Sequence, residues 1–310
     1  MRALKSIFML FFIYASFSTV YSQEAPKNID YPGKKLFSFG VVADIQYGDL
    51  ESSKTRFYRA SLGKLDNCID IFNKHELSFV TNLGDLIEEG YSDFDKTLAL
   101  LDKIKAPVYN VLGNHDLAVE DDLKEKAKER LLGDKNGYYT FEVGNFIFIV
   151  LDGTEMCPPD HPKDSKMYNI AMAKYELMKV EELNSAYVWN GGFGDQQIKW
   201  LGKVLKKADR ENKKVVVFCH WPLLPENGLQ LWDNQVLLGL IESHNCVVAW
   251  ISGHHHEGNY VKENGIHHLT LKAIVNTVAD KSCGIIEVYS DKLLFKGYGD
   301  MKDRTLEFPM

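Results

Sequence analysis

Five short segments carry the side chains best suited to chemistry: Asp44-Ile45-Gln46, Gly84-Asp85, Gly113-Asn114-His115-Asp116, His220 and Gly253-His254-His255-His256. Singly, each has an ordinary structural explanation. A strand-end Asp caps a helix, an Asn-His pair builds a turn, and a lone His is usually a satisfied surface or core residue. Together they form a set of oxygen and imidazole donors suited to divalent ions. Burying so many polar groups is costly unless metals or hydrogen bonds satisfy them. Gly precedes Asp85, Asn114 and His254, where the backbone must turn sharply and approach an ion closely. The chemistry expected is hydrolysis of phosphate esters or anhydrides. Two ions ~3.5–4 Å apart would clamp a phosphoryl group, and a hydroxide bridging them would attack phosphorus.

The elements that would position these groups alternate between strand and helix. Leu36–Ile45, Leu77–Leu83, Pro107–Leu112, Lys214–Cys219 and Cys246–Ser252 are short apolar runs, and four of the five candidate segments directly end such a run. Between them, Arg56–Asn73, Phe94–Ile104, Asp195–Glu211 and Asn234–Ser243 have helical spacing, with Asp195 a plausible cap. This is an α/β pattern, and open α/β sheets place their sites at the C-terminal strand ends. Tyr138–Phe141 and Phe146–Leu151 read as a hairpin with a Gly144-Asn145 turn. Residues 259–298 read as further strands. The segment 152–192 is irregular apart from a helix around Tyr168–Leu183, and is expected to be an insertion covering one rim of the site. Two βαβ-like halves make one domain over 36–310 the economical organisation.

The 310 residues are 45% hydrophobic and 25% charged, an ordinary globular balance. A net charge of −7 argues against binding nucleic acid through a basic surface, but not against anionic substrates, because bound cations reverse the local field. Arg2 and Lys5 precede the apolar run Ile7–Phe17, which is too short to span a bilayer. Residues 1–22 therefore read as a signal peptide cleaved near Ser22, with 23–35 an extended lead-in. Export to the periplasm or medium, no stable membrane insertion and a monomeric state are expected. The five scattered cysteines do not suggest a disulfide framework.

The ordered set D-x-Q, GD, GNHD, H and GHxH resembles the calcineurin-like metallophosphoesterase superfamily, from about Leu36 almost to the C-terminus. The resemblance implies a four-layer α/β/β/α sandwich. ADIQYGD, NGGF (Asn190–Phe193) and GHHHEGNY more narrowly resemble manganese-dependent ADP-ribose/CDP-alcohol diphosphatases, which carry Gln where most of the superfamily has His. By that resemblance Asp44, Gln46, Asp85 and His256 hold one ion. Asp85 bridges to a second, held also by Asn114, His220 and His254, and His255 is directed away. Gln46 replaces an imidazole nitrogen with a hard amide oxygen, which favours Mn²⁺, with iron or zinc as alternatives. His115 is the candidate general acid or transition-state stabiliser; its bland alternative is a residue that only orients ligands. The implied substrate is a nucleotide diphosphate derivative. Tyr47, Asn190, Gly191, Gly192 and Trp221 are candidate nucleotide contacts or, equally, packing and turn residues. A phosphomonoesterase or phosphodiesterase on the same scaffold is the alternative, and a non-catalytic metal or nucleotide-binding module a third reading.

Overall fold

Two mixed six-stranded sheets face each other, each covered on its outer face by helices. The computed structural model describes residues 33–309; the signal segment and nearly all of the lead-in lie outside the described residues. From Lys34 onward the chain packs as one unit.

The first sheet comprises β1 (Phe37–Val42), β2 (Val80–Asn82), β3 (Val108–Asn110), β10 (Ser282–Val288), β11 (Lys292–Gly299) and β12 (Arg304–Glu307), in the order β12-β11-β10-β1-β2-β3. β1, β2 and β3 run parallel, and β10 joins β1 antiparallel. The helices α1 (Ser61–Phe72), α2 (Phe94–Leu101) and α3 (Lys124–Leu132) cover it. The second sheet comprises β4 (Tyr139–Val143), β5 (Phe146–Val150), β6 (Lys214–Phe218), β7 (Val247–Ser252), β8 (Glu257–Glu263) and β9 (Ile266–Lys272), in the order β4-β5-β6-β7-β9-β8. There β5, β6, β7 and β9 are parallel. α5 (Asp195–Arg210) and α6 (Asn234–Glu242) cover it, and α4 (Lys166–Val180) lies in the 152–192 segment.

Three apolar clusters separate the four layers. The central one joins the sheets through aromatic rings: Phe79 stacks on Phe39 at 4.7 Å and meets Phe148 edge-on at 4.8 Å. A second cluster packs Leu65, Cys68, Ile69 and Phe72 of α1 against the first sheet. A third packs Leu201, Leu205 and Ala208 of α5 against Val215 and Val217. That i, i+4, i+7 spacing is what buries one helix face. The result is the α/β/β/α sandwich that the motifs imply.

Several boundaries differ from the sequence expectation. β2 and β3 are only three residues long, because the chain leaves the sheet to form the site loops. Asp195 is not a cap: Gly194 precedes the helix, and Asp195 stands in the first turn, where its charge suits the helix dipole. Two elements were not anticipated. α3 buries only Lys124, Ala127, Leu131 and Leu132, so its charged sequence gives a weak periodic signal. β12 is a four-residue edge strand. All five cysteines are free and buried.

Candidate metal centre

β1, β2, β3, β6 and β7 deliver their polar groups from one set of C-terminal ends. Asp44 lies just beyond β1, Asp85 beyond β2, Asn114 beyond β3, His220 beyond β6 and His254 beyond β7. The loops are laced together by the backbone: Asp44 N–H donates to Gly84 O (3.1 Å), Gln46 N–H to Asp85 O (2.8 Å) and Gly253 N–H to His220 O (2.9 Å). Asp116 braces the centre from beneath, its carboxylate accepting from the N–H groups of Asp85 (3.0 Å), Leu86 (2.7 Å) and Gly113 (3.0 Å).

The backbone is strained at four of the seven candidate ligands. Asp44, Gln46, Asp85 and His254 have φ of 51°, 41°, 55° and 63°, each of order 1–3 kcal/mol above an ordinary conformation. The surrounding fold holds them there, and the strain aims their side chains at one point. One ligand atom each of Asp44, Asp85 and His220 lies within 4.8 Å of the others. His220 Nε2 is 3.2 Å from Asp85 Oδ2, and His256 Nε2 is 3.7 Å from Asp44 Oδ1. His254 Nδ1 is 3.3 Å from His220 Nε2. His254 thus sits with His220, and His256 with Asp44.

Two buried oxygens test whether this donor set fits divalent ions. Gln46 Oε1 and Asn114 Oδ1 have no hydrogen-bond partner, although burying an unsatisfied amide oxygen costs about 1–3 kcal/mol. The Gln46 amide nitrogen is spoken for, donating to Asp85 Oδ2 at 3.2 Å. Both free oxygens belong to residues carried over as ligands, and a cation would satisfy them. The residues present fit the group.

Electrostatics agree. Burial would raise the Asp85 carboxyl, but His220 and His115 outweigh it and hold the group well below the carboxylate range. Asp44, buried and facing Asp85, is pushed up to about 7 despite His220. His220 rises to about 9: burial lowers it, and Asp85 and Asp44 more than compensate. A bound cation would offset the two buried carboxylates. His254 and His256 are kept neutral by burial, His256 near 4, which leaves lone pairs for coordination. Their other partners fix the rings: Leu83 O at 2.8 Å from His220 Nδ1, and Asn276 Oδ1 at 2.6 Å from His256 Nδ1.

Gly113 makes this packing possible. A Cβ there would lie 2.2 Å from Asp85 Oδ1 and 2.6 Å from the Asp85 backbone nitrogen. Gly113→Ala is expected to destabilise the protein by about 1–3 kcal/mol and to weaken metal binding. Thermal unfolding and a Mn²⁺ isotherm check this; an unchanged isotherm would contradict it.

A cavity of about 600 Å³ opens over the cluster, lined by Arg56, Asp85, Asn114, His115, Trp189, Leu229, Glu257 and the histidines 254–256. The His115 backbone N–H donates to Asp85 Oδ1 (2.8 Å) and its Nδ1 contacts Glu88 O (2.9 Å), which leaves Nε2 without a partner among the described residues. The five proposed nucleotide contacts do not line this cavity. Tyr47 is buried, its hydroxyl accepting from Lys96 (2.7 Å). Trp221 is fully buried, its indole N–H donating to Trp189 O, and Gly191 packs so closely on its ring that a Cβ would sit 3.0 Å away. Asn190 is buried too, with Oδ1 3.1 Å from His254 Nε2; Gly192 N–H donates to Gly153 O. Their neighbour Trp189 forms the wall instead. His255 also lines the cavity, its Nδ1 3.2 Å from Asn227 Nδ2. Arg56, Glu88, Trp189 and Leu229 were not singled out by the sequence reading, since nothing local marks them.

A fold with its ligands at the carboxyl edge of two facing sheets defines a class. The calcineurin-like phosphoesterase family model matches residues 37–258, so the chain belongs to that family and is a metal-dependent phosphohydrolase. It is 32% identical to the manganese-dependent ADP-ribose/CDP-alcohol diphosphatase of Mus musculus, over 88% of this chain and 94% of that one. The Arabidopsis thaliana protein of the same name is also 32% identical, over 88% and 97%. A dimetal phosphatase from Danio rerio superposes with a TM-score of 0.80 at 26% identity, covering 89% of this chain and all of the other.

Proposed function

We propose that the protein hydrolyses the diphosphate linkage of nucleotide derivatives such as ADP-ribose or CDP-alcohols, with two Mn²⁺ ions. The observation that carries this reading is the pair of unpartnered buried amide oxygens, Gln46 Oε1 and Asn114 Oδ1, beside Asp44, Asp85 and His220. The names of the relatives support the substrate class. Bound ions would neutralise charge on the phosphoryl group and supply an activated water. Asp44, Gln46, Asp85 and His256 would hold one ion, and Asp85, Asn114, His220 and His254 the other.

His115 acts on the substrate. With Nδ1 donating to Glu88 O, the doubly protonated ring can donate from Nε2 to a phosphoryl or leaving oxygen. A diphosphate expels a phosphomonoester, which needs little protonation. His115→Ala should therefore cost about 10²-fold or less on a diphosphate, and less than loss of Asp85. Steady-state kinetics on both variants check this; equal losses would contradict it.

A panel with Mn²⁺ tests the substrate. ADP-ribose and CDP-choline should be cleaved with higher kcat/KM than p-nitrophenyl phosphate or its bis-ester, and preference for the monoester would overturn the reading. Export rests on Arg2, Lys5 and the apolar run after them. The mature chain should begin at Gln23, which N-terminal sequencing of the expressed protein would establish; an intact Met1 terminus would contradict it.

A further inference from the structure

Two unlike groups of residues line the cavity over the ligands, and one of them is apolar and aromatic, Trp189 with Leu229. Trp189 is 45% exposed and stacks on Tyr187, itself 43% exposed, with ring centroids 5.1 Å apart and planes at 21°. In the other group Arg56 and His115 share Glu88. Arg56 Nη1 is 3.3 Å from Glu88 Oε1, and His115 Nδ1 is 2.9 Å from Glu88 O and 3.4 Å from Oε2. Among the described residues that line the cavity, Arg56 is the only Arg or Lys.

We propose that the nucleoside of the substrate stacks on Trp189 and that water attacks the nucleoside-bearing phosphorus, so the second phosphate leaves toward His115 and Arg56. The proposal rests on the diphosphatase reading and adds a direction to it. An exposed indole already backed by a second ring offers a flat, rigid face, and any base can stack on it. It cannot stabilise a growing negative charge. In the reaction the water oxygen forms a bond to the nucleoside's phosphorus and releases a proton to solvent, while the bond from that phosphorus to the bridging oxygen breaks. The electron pair stays on the bridging oxygen, which departs as part of the second phosphate. That oxygen gains charge in the transition state and needs a cation or proton donor beside it. Arg56 and His115, held together by Glu88, supply one of each. The reverse placement would press the leaving phosphate against Trp189 and Leu229.

Hydrolysis of ADP-ribose by the Mn²⁺-loaded protein in ¹⁸O-enriched water decides the direction. Label in AMP is expected; label in ribose 5-phosphate would overturn the direction alone, and absence of any cleavage would overturn the diphosphatase reading with it. Calorimetry on the same protein tests the platform. Trp189→Ala should weaken AMP binding about tenfold, the loss expected of one base–aromatic stack, and ribose 5-phosphate binding much less. Equal weakening of both products, or of neither, would overturn the Trp189 assignment. Arg56→Ala should slow ADP-ribose cleavage more than that of a nucleoside 5′-p-nitrophenyl phosphate, whose leaving group bears no second phosphate. Equal slowing would remove Arg56 from the leaving side.

Discussion

Asp85→Asn is expected to lower kcat by ~10³-fold or more, since even residues that only support metal ligands are worth roughly 10–100-fold. The substitution keeps the shape and removes the charge. Asp85 accepts from Gln46 Nε2 at 3.2 Å and from His115 N–H at 2.8 Å, and it lies 3.2 Å from His220 Nε2. Asp85 thus links Gln46 on one side of the centre to His220 on the other. Its loss should therefore lower Mn²⁺ affinity and turnover together, where His115→Ala should spare metal binding. A Mn²⁺ isotherm beside the kinetics separates the two. Asp85→Asn activity within tenfold of the parent, with metal affinity intact, would show that Asp85 is not the shared ligand.

The second large effect concerns metal identity. Stripping divalent ions should abolish turnover, and Mn²⁺ should restore more activity than zinc or iron. Gln46 is the reason. Its nitrogen is tied to Asp85, and its buried oxygen has no partner, so it presents a hard donor where an imidazole would present a softer one. Gln46→His should shrink the advantage of manganese over zinc, read as the ratio of the two restored rates. Zinc already outperforming manganese in the parent would remove the argument. Saturating metal should also stabilise the fold, by about 4 kcal/mol at a thousand times Kd.

The ligand set was legible because each member sits where a short apolar run stops, and a glycine often marks the stop. That pattern is local, and strand ends survive errors in strand length: β2 and β3 proved shorter than their apolar runs, yet Asp85 and Asn114 still fall at their ends. The substrate wall was not legible. Trp189 and Trp221 are both indoles beside site motifs, and only three-dimensional packing decides that Trp221 is sealed and Trp189 open. Arg56 enters the site because Glu88, 32 residues away, draws it there. The helix α3 escaped because a mostly charged sequence with few buried positions has little periodicity to read.

Crystals grown or soaked with Mn²⁺ and measured at the manganese absorption edge test the central claim most directly. The expected result is two anomalous peaks roughly 3.5–4 Å apart with Asp85 between them, one beside Gln46 and His256 and the other beside Asn114 and His254. A single peak, or a pair not spanned by Asp85, would contradict the two-metal centre.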